Sequence, residues 1–241
     1  MKTIPLLQLL YMIIPLGVVG FFYAKWVDKK DEIILATLRM SVQLLLVGYV
    51  LTLLFTTNSL WLLSFLVMVM IVSASLIVRR NMRHRDWRTF VVVFGSIGLM
   101  GSVNLAWVLW VVLDLDNHFE PRFIIPLAGM IYANAMNAIS LCAERYEKEK
   151  ERAQSHESAR SIAFKASMMP QINSFLAVGI VSLPGTMTGQ ILSGVDPLIA
   201  VRYQIVVMAM ILSSGAMSNI MYLYGVNSAF LANVDAEEVG R

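Results

Sequence analysis

Apolar runs of about 20 residues recur along the whole chain, and that repetition limits what it can fold into. A helix rises 1.5 Å per residue, so ~20 apolar residues cross the ~30 Å hydrocarbon core of a bilayer. Seven such runs are present, at 4–23, 33–55, 60–78, 90–113, 123–141, 172–192 and 198–224. Hydrophobic residues make up 58% of the chain and charged ones 15%, against ~45–50% and ~25% in soluble domains. The sequence therefore predicts an all-α, polytopic integral membrane protein of about seven transmembrane helices, one transmembrane domain over 1–241. The first run follows Lys2, but it exceeds a ~7–15-residue signal core and lacks an A-x-A site, so it reads as a retained helix. Cys142 is the only cysteine, which excludes a disulfide framework and Cys-rich metal sites within one chain.

The net charge of +3 does not point to nucleic acid, because the basic residues sit in short segments between apolar runs. Lys25, Lys29 and Lys30 follow the first run. Arg79, Arg80, Arg83, Arg85 and Arg88 follow the third, and Arg145, Lys148, Lys150, Arg152, Arg160 and Lys165 follow the fifth. The alternate loops at 56–59, 114–122 and 193–197 hold a single basic residue, Arg122. The positive-inside rule puts the basic segments in the cytoplasm, with the amino terminus outside and the carboxyl terminus inside. The one long polar stretch, 143–169, is rich in helix formers of mixed charge. It predicts a cytoplasmic helix extending the fifth span, either as a solvated linker or as a dock for a cytoplasmic partner.

Polar residues inside the spans are costly and therefore informative. Arg39 and Gln43 lie four apart on one face of the second span, with Arg39 close enough to the cytoplasmic end to snorkel instead. Met130, Asn134 and Asn137 share a face of the fifth span, among Gly129, Ala133, Ala135 and Ala138. That composition suits tight helix contact with interhelical hydrogen bonds, or a polar lining. The sixth span carries Pro184, Gly185, Thr186, Met187, Thr188, Gly189 and Gln190. Pro184 forces a kink or break there, and irregular backbone at membrane depth survives only inside protein or along a wet cavity. Gly185 and Gly189 would also admit a closely packed helix. Near the start of the last span, an interfacial Asp196–Arg202 pair accounts for both charges.

All 16 acidic residues and the three histidines lie in loops or at helix ends. Proton-coupled carriers use an intramembrane Asp, Glu or His, so energy for uphill transport would have to come from a partner. No G-x-x-x-x-G-K-[ST] loop is present, so nucleotide hydrolysis by this chain is not expected. Neither Ser–His nor Cys–His constellations occur in the spans, and no enzymatic role is expected. The 16 methionines suit adaptable packing more than a soft-metal site, because no Cys or His accompanies them in the spans; no metal site and no bound cofactor are expected.

Several segments together resemble the FetB-like (YbbM-like) permeases of bacterial iron-export ABC transporters. They are Leu38-Arg39-Met40-Ser41-Val42-Gln43-Leu44, Ile125-Pro126-Leu127-Ala128-Gly129-Met130 with Asn134-Ala135-Met136-Asn137-Ala138, and the block from Val181 through Gln190 to Gly194 and on to Ile205. The resemblance implies a multi-pass permease of the bacterial inner membrane, paired with a separate cytoplasmic P-loop ATPase that uses the ATP, as two permeases with two ATPases. It implies iron efflux in bacteria, and aluminium tolerance in plant relatives, so the implied cargo is iron, another metal or a metal chelate. Family members usually carry an E-A-A-like segment and L-A-L-G-A between the fifth and sixth spans, and 143–169 lacks that pattern. The expected route comprises Arg39, Gln43, Met130, Asn134, Asn137 and the break with Pro184, Gly185, Thr186, Thr188, Gly189 and Gln190. Arg79, Arg80, Arg83, Arg85, Arg88, Arg145 and Arg160 are the expected ATPase contact. A passive channel and a non-transporting scaffold are the alternatives.

Overall fold

The computed structural model describes residues 5–27, 32–57, 59–82, 86–114, 120–152 and 154–239, excepting the side chains of Leu6 and of 227–239. Arg83 and Arg85 lie outside the described residues. The chain divides into two compact units, Met1–Asn58 and Ser59–Arg241.

The first unit holds α1 (Leu6–Leu10), α2 (Ile13–Trp26) and α3 (Glu32–Thr57). Tyr23 of α2 donates its hydroxyl to Glu32 Oε2 of α3 at 2.6 Å. Along α3, Thr37, Ser41 and Thr52 return their hydroxyls to the carbonyls four residues back, which spares an apolar helix unpaired donors.

The second unit holds α4 (Leu60–Asn81), α5 (Trp87–Trp107), a π-helical turn (Val108–Val112), α6 (Pro121–Glu151), α7 (His156–Ala177), α8 (Gly185–Leu192) and α9 (Pro197–Val239). Their starts are written in the sequence. Ser59 Oγ accepts from Leu62 N at the head of α4, and Ser155 Oγ from Ser158 N at the head of α7. Asp196 Oδ1 accepts from Leu198 N at 2.8 Å and Ile199 N at 3.4 Å, capping α9. Asp196 thus serves the backbone and makes no ion pair with Arg202, contrary to the sequence expectation. Pro121 opens α6, where its missing N–H costs nothing.

Helix α6 is the hub and packs on α4, α5, α7 and α9. Its buried face includes Ala128, Ala135, Ala138 and Ala143, small residues that let neighbouring backbones approach. The outward residues of the unit, such as Leu76, Leu99, Val103 and Ile220, are apolar, as lipid contact requires. Because lipid is as apolar as leucine, packing and interhelical hydrogen bonds bind such helices together. The bonds are specific. Asn104 Nδ2 of α5 donates to Met210 O at 2.9 Å, Asn134 Nδ2 of α6 to Ile211 O at 2.6 Å, and Asn219 Nδ2 of α9 to Ser167 Oγ at 2.9 Å.

Among the described residues, six helical stretches are long and apolar enough to cross a membrane: Leu7–Trp26, Glu32–Thr57, Leu60–Asn81, Trp87–Val112, Pro121–Glu151 and Pro197–Val226. The expected sixth run, 172–192, is a broken one. Helix α7 begins in the polar stretch, runs through Pro170 and ends at Ala177. A turn follows in which Gly179 takes φ +84° and Val178 bridges Ser182, a conformation glycine adopts freely. Pro184 then stands extended before α8, so the break precedes the proline and does not start at it. The fifth run does continue as expected, since α6 extends through the polar residues to Glu151.

Candidate functional site

Several polar residues of the second unit collect along a seam between α6, α7 and α9. Its middle is a cavity of about 230 Å³ bordered by Asn134, Asn137, Ser167, Gln171, Ser174 and Met208. Asn134 and Asn137 fall one turn apart on α6 as the spacing predicts. Asn134 is half-buried and tied to the Ile211 carbonyl, which also accepts from Ser214 Oγ at 3.0 Å. Asn137 is exposed to the cavity, and its amide makes no hydrogen bond among the described residues.

Gln171 does not stand out in the sequence, yet it is central. It is 9% exposed, and its Oε1 has no hydrogen-bond partner. An unpaired buried acceptor is costly, and native proteins leave few of them. Gly215 makes room for it: a Cβ there would overlap the Gln171 amide and stand 3.0 Å from Asn134 Nδ2. Asn219 and Ser218 extend the polar edge of α9 one turn on, both fully buried, with Asn219 Oδ1 and Ser218 Oγ also unpaired.

Two further openings continue the seam. One, of about 510 Å³, lies under the α7–α8 break and shares Phe175 and Met208 with the amide cavity. It is apolar apart from Gln204, and includes Pro184 and Met187. Thr186 donates its hydroxyl to Gln204 Oε1 at 2.5 Å, fastening α8 to α9. The other, of about 520 Å³, shares Leu141 and is rimmed by Glu144, Arg145, Lys148 and Lys165. Here Lys148 pairs with Glu144 at 2.5 Å and Arg145 with Glu149 at 2.9 Å. At the α6–α7 corner, Tyr146 Oη lies 2.7 Å from His156 Nδ1. Burial, then the Arg160 and Lys150 charges, lower the His156 pKa from its ordinary value.

The remaining expected residues are placed as follows. Arg39 and Gln43 share a face of α3 in the first unit, and both are exposed. Met130 is half-buried on α6 outside these cavities. A Cβ added at Gly185 or Gly189 would meet nothing within 4 Å, so among the described residues no helix of the second unit packs closely on them as their spacing would allow. Thr188 is exposed and returns its hydroxyl to Pro184 O, while Gln190 Oε1 is buried without a partner. Arg79 lies over the Phe90 ring at 5.7 Å and Arg160 over Tyr224 at 5.5 Å. Arg80 and Arg88 are exposed. Among the described residues, no three His, Cys, Asp or Glu side chains converge on a metal-sized site.

Membrane-length helices in both units, with a polar seam within the second, define a multi-pass helical membrane protein. The chain belongs to the family described as uncharacterised protein family UPF0014, whose model matches residues 6–231. A UPF0014 membrane protein of Synechocystis is 31% identical over 85% of this chain and 86% of its own. The Escherichia coli protein named "Probable iron export permease protein FetB" is 31% identical, covering 90% of this chain and 88% of its own. The Arabidopsis thaliana protein ALUMINUM SENSITIVE 3 is 29% identical over 88% of this chain and 82% of its own. The family resemblance read from the sequence therefore holds. No solved structure matches the chain.

Proposed function

We propose that this chain is the transmembrane permease subunit of an ABC transporter, exporting iron, another metal or a metal chelate with energy from a separate ATPase. The observation that carries the reading is the polar seam of α6, α7 and α9, with Asn134, Asn137 and the unpaired Gln171 inside an otherwise apolar bundle. Polar groups at membrane depth mark substrate pathways. The near full-length likeness to a relative named as an iron export permease supports the direction and cargo class. The chain has no phosphate-binding loop, so ATP would be hydrolysed in a partner. Arg79, Arg80, Arg88, Arg145 and Arg160, with Arg83 and Arg85, form the basic contact for that partner, on the cytoplasmic side by the positive-inside rule. Two copies would line the route, the open cavities facing a second protomer. The candidate role of Arg39 and Gln43 rests on their polarity within an apolar span.

The test is co-expression with a cytoplasmic P-loop ATPase. A stable complex whose ATP hydrolysis rises when the permease is present supports the reading. A chain that purifies alone, and passes ions in liposomes without ATP, would overturn it in favour of a passive facilitator.

A further inference from the structure

Charge stops at the same level on two neighbouring helices. After Arg122, α6 carries no charged residue until Glu144, and after Lys165 no charge appears until Asp196. The short connection from Glu151 to His156 makes α6 and α7 antiparallel neighbours. Their charged stretches therefore end side by side, where apolar span gives way to polar helix. The opening of about 520 Å³ lies across that boundary. Helix α6 presents Leu141, Glu144, Arg145 and Lys148 to it, and α7 presents Ile162, Lys165, Ala166 and Met169. Each set has the i, i+3, i+4, i+7 spacing of one helical face, ~10 Å long. Leu141 and Met169 form the membrane-side end, where the amide cavity begins, and are 37% and 51% exposed. The groove thus runs from an apolar end, open to acyl chains, to a charged one.

The charges on its rim do not balance. Lys148 holds Glu144 at 2.5 Å, and Glu149 holds Arg145 at 2.9 Å while Arg152 also approaches it at 3.2 Å. Lys165 is exposed and has no acidic partner among the described residues. An unmatched ammonium above an apolar floor complements a head group of net negative charge with an acyl chain below it. We infer that the α6–α7 groove binds one anionic phospholipid, its phosphate on Lys165 and an acyl chain along Ala166, Leu141 and Met169. Such binding requires neither an ATPase nor transport. A lipid held this way fixes the depth of the α6–α7 pair in the bilayer, beside the amide cavity that shares Leu141.

Native mass spectrometry tests this on the purified full-length protein, held in detergent with equimolar dioleoylphosphatidylglycerol and dioleoylphosphatidylcholine. The anionic lipid is retained about fivefold over the zwitterionic one, the factor that one basic residue contributes at a membrane surface. Lys165→Gln brings the two within about twofold. Arg202→Gln, at an exposed cation of α9 outside the groove, leaves the preference intact. Ala166→Trp fills the groove and abolishes the preference although every cation remains. Equal retention of the two lipids, or a preference that survives Lys165→Gln, overturns the inference. A preference that survives Ala166→Trp in the folded protein is diffuse attraction to surface charge, and overturns it as well. Displacement of the lipid by inorganic phosphate reassigns the site to a free anion. A groove that retains neither lipid, and whose Ala166→Trp variant loses a co-expressed ATPase, is a protein contact; both results overturn the lipid assignment.

Discussion

Replacing Asn134 and Asn137 together by leucine separates a transport role from a packing role. Among the described residues, the one side-chain bond lost is that from Asn134 Nδ2 to the Ile211 carbonyl, which keeps its bond from Ser214 Oγ. Interhelical hydrogen bonds in membranes average ~0.6 kcal/mol and reach ~1.7 kcal/mol. One such loss changes the folding constant about threefold, which is small against total stabilities of ~5–15 kcal/mol. Leucine keeps asparagine's branched shape, but its methyl must withdraw from the 2.6 Å approach to the Ile211 carbonyl, which adds a small local repacking cost to the lost bond. The wall of the 230 Å³ cavity, however, loses two amides. Insertion and resistance to denaturant should stay near wild type, while cargo flux in vesicles falls at least ~10-fold. Asn104→Leu is the control. Asn104 is buried and engaged at both ends, donating to Met210 O and accepting from Ser213 Oγ at 3.3 Å. It lies outside the seam and should cost ~1 kcal/mol of stability with flux per folded molecule unchanged. Unaltered flux per folded molecule in the Asn134/Asn137 double variant would refute the reasoning.

Gly215→Val should push Gln171 out of the seam, because a Cβ at 215 occupies the place of its amide. Overpacking of this kind costs ~1–3 kcal/mol, and a lowered denaturation midpoint with weakened flux would be measured together. Thr186→Ala removes the Thr186–Gln204 bond that ties α8 to α9; proteolytic nicking between 178 and 185 should increase while α5 and α6 stay protected. The pH dependence at the α6–α7 corner follows from His156. Its folded pKa lies below the ordinary 6.5, so its contribution is intact above that value and is lost as pH falls through the folded one. Cleavage near the turn should rise as pH falls below about 6.5, and His156→Gln should flatten that dependence.

The apolar runs are legible because a bilayer demands length and composition together, and both are local properties of the sequence. The break near Pro184 is legible for the same reason. What escapes the sequence depends on context. The run 172–192 reads as a fresh span, which leaves Ser167 and Gln171 in the polar stretch or at its edge. In the structure α7 carries them through Pro170 in a single helix. Ser213, Ser214, Ser218 and Asn219 are scattered among apolar neighbours in α9. Only the approach of α5, α6 and α7 reveals that their carbonyls and hydroxyls form one edge. Their presence mid-span is the available signal, the same one that marks Asn134 and Asn137. The charge of Asp196 invites an ionic partner, whereas its position before Pro197 makes it a cap.

Water access along the seam tests the central claim most directly. Cys142 is buried, so with Cys142→Ser as background, single cysteines at Asn137 and Ser174 can be compared with one at Leu99 on the outer apolar face. A route predicts that Asn137→Cys and Ser174→Cys react in membranes with a charged, water-soluble thiol reagent, and that Leu99→Cys does not. Silence at both seam positions, with the protein folded, would contradict it.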